Sequence, residues 1–304
     1  MELIRIGTRS SSVALWQAQR VKQRLEKQGF PCQLVPIKAA GDLDLDRPLY
    51  QMSQTGAFSR ALDQALQEGY IDAAVHSMKD VPTELSLGIR QAAVLERGDP
   101  SDVLVYKGNL NFLEEQATIA SGSLRRRAQW QARYPLHRMV DIRGNIQSRL
   151  EKLEENATWD GTLLSRAGLD RLGQVPRYLL TLDWMIPAPA QGAIVVTARE
   201  GDIKVQKVLS RLNHENTAFC VIQERLFLRN LEGGCSAPVG ALVSLEGNQV
   251  FFRGGLFSLK GEQAVTVERL ETRQKAYKLG ERMAKEVLGR GGSEILAEIK
   301  RALR

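Results

Sequence analysis

A chain of 304 residues lies near the practical limit of one hydrophobic core, so two or three domains are expected; 43% apolar and 25% charged residues is the balance of a folded, soluble protein. No apolar run is long enough to span a bilayer, and the opening MELIRIGTRS passes straight into a strand-like pattern without a signal-peptide apolar region, so no membrane association is expected and the cytoplasm is the expected compartment. A formal net charge of +7 predicts a protein that attracts anions, with nucleic acid, phosphate and polycarboxylates all open.

The first predicted element is a strand over 3–7, followed by a helix opened by the serine run 10–12, in which Ala14, Ala18, Val21 and Leu25 recur at helical spacing and Gly29 ends the run. CQLVPIK reads as a strand and leads into a loop containing glycine and aspartate. Residues 57–69 read as a second helix, and IDAAVHS as a short apolar strand. The alternation restarts near residue 100 with the strands DVLVY and ATIAS, the helix LRRRAQWQAR, the strand HRMVDIR, the helix NIQSRLEKLEENA, the strand GTLLS and the helix AGLDRLG. Two such sets predict two α/β lobes with a pocket between them at the strand carboxyl ends. After residue 215 the texture changes: a long helix, NTAFCVIQERLFLRNLEGG, precedes the hairpin-like GALVSLEGNQVFFRGGLFS and AVTVERLE, and two basic helices close the chain. That tail reads as a smaller α+β domain.

Several cations fall where strands end and helices begin: Arg9 in GTRSS, Arg125 and Arg126 in SGSLRRR, Arg143 in IRGNIQSRL, and Arg149 a helical turn further on. Helix amino termini offer free N–H groups to an anion, and guanidinium groups add bidentate recognition of carboxylate or phosphate. Any one of these arginines reads equally well as a solvated surface charge, whereas the set points to an anion site assembled from several loops. Nucleic acid is the rival ligand, because Trp130 stands among the arginines of LRRRAQWQAR; the interspersed acids Asp141, Glu151 and Glu154 and the lack of a nucleic-acid motif weigh against it. A two-lobed, non-catalytic binder of a small anion is the stronger rival.

The stretch AVHSMKDVP ends a predicted strand and places His76, Lys79 and Asp80 before Pro82. It is a candidate acid/base site; a hydrogen-bonded structural histidine and a surface Lys79–Asp80 ion pair are the alternatives. The three cysteines, Cys32, Cys220 and Cys235, have neither metal-ligand spacing nor the context of a disulfide framework. Cys235, in NLEGGCSAPVG at the predicted passage from helix to strand, needs a separate explanation.

The segments GTRSS, AVHSMKDVP, SGSLRRRAQ, IRGNIQSRL, AGLDRLG, PAPAQGAI, NHENTA, ERLFLRNLEGGCSAPVG and EILAEI, running in this order over nearly the whole chain, resemble those of the porphobilinogen deaminases, also called hydroxymethylbilane synthases. The resemblance implies stepwise condensation of four porphobilinogen molecules, each losing ammonia, and hydrolytic release of hydroxymethylbilane, the linear tetrapyrrole. It implies a covalent dipyrromethane cofactor held by a thioether at Cys235, where flanking glycines let a bulky bipyrrole approach the backbone. Arg9, Arg125, Arg126, Arg143, Arg149 and Arg171 then match binders of cofactor and substrate carboxylates, with Ser11, Ser123 and Lys79 assisting. Asp80 matches the catalytic aspartate, a carboxylate that stabilises the azafulvenium cation left by departing ammonia. His76 matches a family position without an assigned chemistry and is read as structural.

The implied fold agrees with the pattern: two lobes like those of periplasmic binding proteins, 1–95 with 191–212 and 96–190, and a cofactor-anchoring α+β domain over 213–304. A monomer is expected, with no nucleic-acid partner, no metal, and hand-over of product to uroporphyrinogen-III synthase. The chain departs from the family at Ala40 in Ala40-Gly41-Asp42, at Ser53-Gln54-Thr55-Gly56 in place of a glycine- and lysine-rich loop, and at Ala190 in Ala190-Gln191-Gly192-Ala193. Arg166 stands where small or apolar residues are usual, and is expected to restore part of the positive potential lost at Ala40 and in the loop 53–56.

Overall fold

The computed structural model describes residues 2–38, 59–231 and 237–303. In the first lobe β1 (Ile4–Arg9), β2 (Cys32–Ile37) and β3 (Ala73–Ser77) run parallel in the order β2-β1-β3, and β4 (Ile89–Val94) follows before the chain crosses over. The second lobe holds β5 (Asp102–Tyr106), β6 (Thr118–Ala120), β7 (Arg138–Val140), β8 (Gly161–Ser165) and β9 (Leu179–Thr181), ordered β7-β6-β8-β5-β9 with β5 antiparallel to both neighbours. The chain then returns, and β10 (Ile194–Arg199) inserts antiparallel between β3 and β4, so that the first sheet reads β2-β1-β3-β10-β4. The two strand orders are identical once β10 is matched to β5.

Successive residues of a strand face opposite sides of the sheet, and both sides of the first sheet are covered. Val75 joins Ala18, Val21 and Leu25 of α1 (Ser12–Glu26) in one core, while its neighbour Ala74 joins Leu62 and Leu66 of α2 (Arg60–Gln67) in another. The second sheet repeats the arrangement. Leu104, Ile119 and Leu163 pack with Trp130 of α3 (Leu124–Arg133), and Val103, Val105 and Leu164 pack with Leu153 of α4 (Ile146–Glu155) and Leu169 of α5 (Arg166–Leu172). Trp130 is therefore a core residue, fully buried with its Nε1 donating to His137 Nδ1 at 3.1 Å, and offers no stacking face to a nucleic acid.

The two crossover segments run side by side. Gly98 N donates to Gly192 O at 3.1 Å, and a Cβ on Gly192, whose φ is +86°, would lie 2.5 Å from Gly98 O. A side chain at 192 is excluded both by the left-handed backbone and by the neighbouring crossover segment. Ala190 adopts φ +61° two residues earlier, a conformation that costs a non-glycine residue about 1–2 kcal/mol.

After α6 (Ile203–Leu209) comes the long helix α7 (Glu215–Asn230), apolar on two faces because it is packed on two sides. Cys220 and Phe227 enter the core of the third domain, whereas Ala218 and Val221 pack on Met78, Val81 and Val195 of the first lobe. The third domain is completed by an antiparallel sheet, β11 (Val239–Glu246), β12 (Gln249–Phe257) and β13 (Ala264–Thr272), with α8 (Leu279–Val287) and α9 (Ser293–Ala302). The architecture is thus two α/β lobes and a smaller α+β domain, the class expected. The closing helices are neutral rather than basic: Glu281 and Glu286 offset Arg282 and Lys285, and Glu294 and Glu298 offset Lys300 and Arg301. Among the described residues no helix is long and apolar enough to cross a membrane.

Buried charge ties the three parts together. Arg97, on the outgoing crossover, donates to both carboxylate oxygens of Glu224 on α7 at 2.6 and 3.1 Å and through Nε to Gln191 O at 2.7 Å. Glu224, wholly buried, also accepts from Ala190 N at 2.6 Å and from Val243 N of β11 at 2.8 Å. Removing one partner of such a pair leaves an uncompensated buried charge, which costs about 3–5 kcal/mol.

Candidate active site

The carboxyl end of β3 runs into a single 3₁₀ turn, Met78–Asp80, which carries Lys79 and Asp80 half-buried at the seam between the lobes. Facing it are the amino-terminal turns of the second lobe's helices. Ser123 caps α3, its Oγ accepting from Arg126 N at 3.4 Å, and this aims Arg125 and Arg126 inward. Both guanidinium groups close on Asp102, the first residue of β5: Arg125 donates to its Oδ2 at 2.6 Å and its Oδ1 at 3.2 Å, and Arg126 Nε donates to Oδ1 at 2.7 Å. Burial alone would raise the Asp102 carboxyl, but the two guanidinium charges outweigh it and hold the group well below the ordinary carboxylate range.

Gln191 joins these cations to the first lobe. Its Nε2 donates to Pro100 O at 2.8 Å and to Asp102 Oδ1 at 2.9 Å, partners that can only accept, so Oε1 is the atom left to receive Lys79 Nζ at 3.1 Å and Arg126 Nη2 at 3.5 Å. Burial, reinforced by the Arg126 charge, pushes the Lys79 ammonium down to about 8 against the pull of Asp80 and Asp102.

The remaining second-lobe arginines face the same turn. Arg149 Nε donates to Gly144 O at 2.9 Å, and Arg171 Nη2 donates to Gly192 O on the returning crossover at 2.6 Å. Burial, then the charges of Arg126 and Arg143, push Arg149 down to about 10; burial pushes Arg171 down to about 10 as well. Asp80 opposes both shifts, so its charge lies among Lys79, Arg149 and Arg171. These cations are nonetheless harder to keep charged than they would be in water. Burial is the chief cause, and a desolvated cation gains more from an incoming carboxylate than a hydrated one does.

The sequence-derived candidates divide clearly. Lys79, Asp80, Arg126, Arg143, Arg149 and Arg171 are brought together, with Arg125 behind them on Asp102. Arg9 ends β1 close enough to His76 to affect its titration, and Ser11 caps α1, its Oγ accepting from Ala14 N at 3.4 Å. His76 is buried, with no hydrogen-bond partner at Nε2, and burial and then Arg9 push it down to about 4. Arg166 is apart from the cluster: it turns along its own helix to Asp170 at 2.8 Å, partly exposed. Cys235, Ala40 to Asp42 and Ser53 to Gly56 lie outside the described residues. Cys32 and Cys220 are buried, and burial pushes both thiols up to about 11.

Sequence reading missed Asp102, Gln191, Arg97, Glu224 and Arg225. The signal for Gln191 lay in the segment PAPAQGAI, but its partner Lys79 is 112 positions away. Among the described residues, hollows lie elsewhere. One of about 660 Å³, with Gln67, Gly88 and Arg199 on its wall, sits at the opposite edge of the first sheet, where β4 begins and β10 ends; a smaller one borders Phe251 and Leu270 on the third domain. Among the described residues no group of three or more His, Cys, Asp or Glu side chains is placed to hold a metal ion.

Comparison with known proteins decides which family this cleft belongs to. Residues 4–207 match the model described as porphobilinogen deaminase, dipyromethane cofactor binding domain, and residues 218–289 match the porphobilinogen deaminase C-terminal domain. The chain belongs to the porphobilinogen deaminase family. It is 41% identical to the porphobilinogen deaminase of Geotalea uraniireducens over 98% of this chain and 95% of that one. It is 42% identical to that of Rubrobacter xylanophilus over 97% of each, and 39% identical to that of Syntrophomonas wolfei over 99% of this chain and all of the other. Among solved structures, the second substrate binding domain of a putative amino acid ABC transporter from Streptococcus pneumoniae aligns at a TM-score of 0.44 and 13% identity, covering 74% of this chain and 98% of that one.

Proposed function

We propose that this chain is a working porphobilinogen deaminase, which joins four porphobilinogen molecules with loss of ammonia on a dipyrromethane attached to Cys235 and releases hydroxymethylbilane by hydrolysis. The observation that carries the reading is the convergence of buried cations on one turn: Lys79 and Arg126 share Gln191 Oε1, Arg171 reaches the returning crossover at Gly192 O, and Lys79, Arg149 and Arg171 all feel the charge of Asp80. Every pyrrole of substrate and cofactor bears an acetate and a propionate, the groups such a cluster lacks. The residues present therefore fit a dipyrromethane, which supplies when bound the pyrrole carbon to which the first porphobilinogen is joined.

Arg126, Arg143, Arg149 and Arg171 bind carboxylates of cofactor and growing chain, with Arg9, Ser11, Ser123 and Lys79 at the margins. Arg125 is spent largely on Asp102 and on Ile186 O, to which it donates at 2.8 Å, and so acts mainly by fixing its neighbour Arg126. Asp80 holds its carboxylate where positive charge develops on the substrate pyrrole as ammonia departs. A preorganised charge there acts in a partly desolvated cleft and needs no reorientation during the step. Attachment at Cys235 is supported by elimination, since the Cys32 and Cys220 thiols are buried and kept protonated, and by chain position, since α7 ends at Asn230, five residues before it. The enzyme works in the cytoplasm as a monomer and passes its product to uroporphyrinogen-III synthase.

Incubation with porphobilinogen, followed by oxidation and absorbance detection of uroporphyrin, tests the reaction; intact mass of the purified protein tests the attachment. The wild type is expected to weigh one dipyrrole more than its sequence, and Cys235→Ser to have the bare sequence mass and no turnover. Binding of porphobilinogen without consumption identifies a reversible anion binder instead. An unmodified wild type that still makes tetrapyrrole removes Cys235 as the anchor.

A further inference from the structure

Helix α7 lies along the segment that follows β3. Ala218, Val221, Arg225 and Arg229 recur at intervals of three and four residues and so form one stripe. Ala218 and Val221 pack on Met78 and Val81, with Leu85 at the edge of the same cluster, and Arg229 pairs with Glu84. Between them Arg225 Nη1 donates to Met78 O at 3.3 Å and Val81 O at 3.0 Å, and its Nη2 donates to Pro82 O. Three carbonyls bracketing Lys79 and Asp80 thus receive one planar, forked donor. Within the turn itself the backbone supplies Val81 N to Met78 O at 3.3 Å, a long bond, and Met78 N reaches Ala193 O at 3.0 Å. A lone 3₁₀ turn is weakly held by its own hydrogen bonds, and Arg225 supplies the restraint from outside.

We propose that Arg225 is the positioning residue of the Asp80 turn: a side chain of the third domain fixes the first lobe's carboxylate against the second lobe's arginines, through the same helix that ends at Asn230, five residues before Cys235. The inference rests on the reading of Asp80 as the catalytic carboxylate. Its neighbour Glu224 is bonded to the hinge and to β11, so one turn of α7 holds the hinge, the third domain and the Asp80 turn in a fixed relation. A displacement of the order of an ångström at a catalytic group can cost about a hundredfold in rate, so the loss of three backbone anchors is expected to appear in kcat.

The test uses full-length, cofactor-loaded protein with Arg225→Lys, which keeps charge and reach but not the fork, and Arg225→Met, which keeps bulk alone. Both are expected to carry one dipyrrole by intact mass, with KM for porphobilinogen within about threefold of the parent and kcat lower by about tenfold and about a hundredfold, respectively. Asp80→Asn provides the discriminating background. If Arg225 acts through Asp80, adding Arg225→Lys to Asp80→Asn costs almost nothing further, whereas a purely structural arginine gives losses that multiply. Multiplying losses, or an unchanged kcat in folded and loaded Arg225→Lys, overturn the proposal. Failure of the underlying reading shows separately, as near-normal turnover in Asp80→Asn alone.

Discussion

The two lobes share one strand order, yet the ends of equivalent strands do different things. In the first lobe β3 ends in Ser77 and passes into the short turn that carries Lys79 and Asp80; in the second, β8 ends in Ser165 and passes directly into α5. β1 and β6 both lead to a serine-capped helix, but α1 opens with Ser12 and Val13, whereas α3 opens with Leu124 and three arginines. Identical scaffolds therefore supply complementary charges. The second lobe brings Arg126, Arg143, Arg149 and Arg171 to the seam, and the first brings the carboxylate they surround. What the chain does is set by the loops at the strand ends, and the sheets serve to place those loops face to face.

The sharpest way to break this division is to neutralise the first lobe's contribution without changing its shape. Asp80→Asn is expected to fold, to carry its dipyrrole, and to lose about a hundredfold or more in turnover, the scale of one preorganised electrostatic contact in a desolvated site. Turnover under saturating porphobilinogen, beside intact mass, measures this. A rate within a few fold of the parent means that the arginine-rich lobe suffices and that the asymmetry has another purpose.

That asymmetry was legible in part. The junction arginines could be read from sequence because a helix start is a local event: serine caps, apolar spacing and the residues after them lie within one short stretch. The groups that fix those arginines are not local. Asp102 is 23 and 24 positions from Arg125 and Arg126, Gln191 is 89 from Asp102, and Arg97 is 127 from Glu224. Read in sequence, Asp102 is only the first letter of an apolar strand and Glu224 one acid in a helix. Their burial is settled by the antiparallel insertion of β5 and β10, which nothing in either strand announces. The neutrality of the last two helices was open to simple counting.

A second test sits at the seam itself. Gln191→Met removes the acceptor shared by Lys79 and Arg126 while keeping the side chain's length. Lys79 is surrounded by Asp80 on its own turn, Asp102 on β5, and Arg125 and Arg126 on α3, while Arg225 of α7 grips the backbone on either side of it. Loss of Oε1 removes a bond to the charged form and leaves only Asp80 and Asp102 to oppose burial and the arginine charges, so the lysine should titrate still lower than about 8. With an ammonium required, activity falls as pH rises through that value. The alkaline limb of the rate profile is expected to move to lower pH by about one unit, the equivalent of one charge-assisted hydrogen bond, with kcat/KM down about twofold at about pH 7 and approaching about tenfold above about pH 9. Stability has the opposite slope. Because the folded-state value lies below the lysine's ordinary 10.5, the unfolded chain binds more protons between about pH 8 and 10.5, and the wild-type fold gains stability as pH rises across that window. A melting temperature that drops in Gln191→Met with no movement of the alkaline limb assigns the glutamine to packing alone.

The smallest effect is expected at Arg166, and it sharpens the comparison by separating second-lobe arginines that face the seam from one that does not. From sequence, Arg166 was expected to replace positive charge missing at Ala40 and in the loop 53–56. The structure puts its guanidinium on Asp170 of the same helix, at 2.8 Å and with both side chains at least one-third exposed. An exposed pair at this spacing contributes about 0.3–0.5 kcal/mol to stability, and its field in solvent is screened over about 8–10 Å at physiological salt. Asp170 also cancels most of the charge that Arg166 could project toward a ligand. Arg166→Ala should leave KM for porphobilinogen within about twofold of the parent, whereas Arg149→Ala, which removes a desolvated cation lacking an equivalent acidic partner on its own helix turn, should raise it by about tenfold or more. Steady-state kinetics on the two variants at several salt concentrations decides between the readings. A rise for Arg166→Ala that approaches the one for Arg149→Ala, and that shrinks as salt is added, shows the arginine leaving Asp170 when substrate arrives and restores the compensation that the sequence implied.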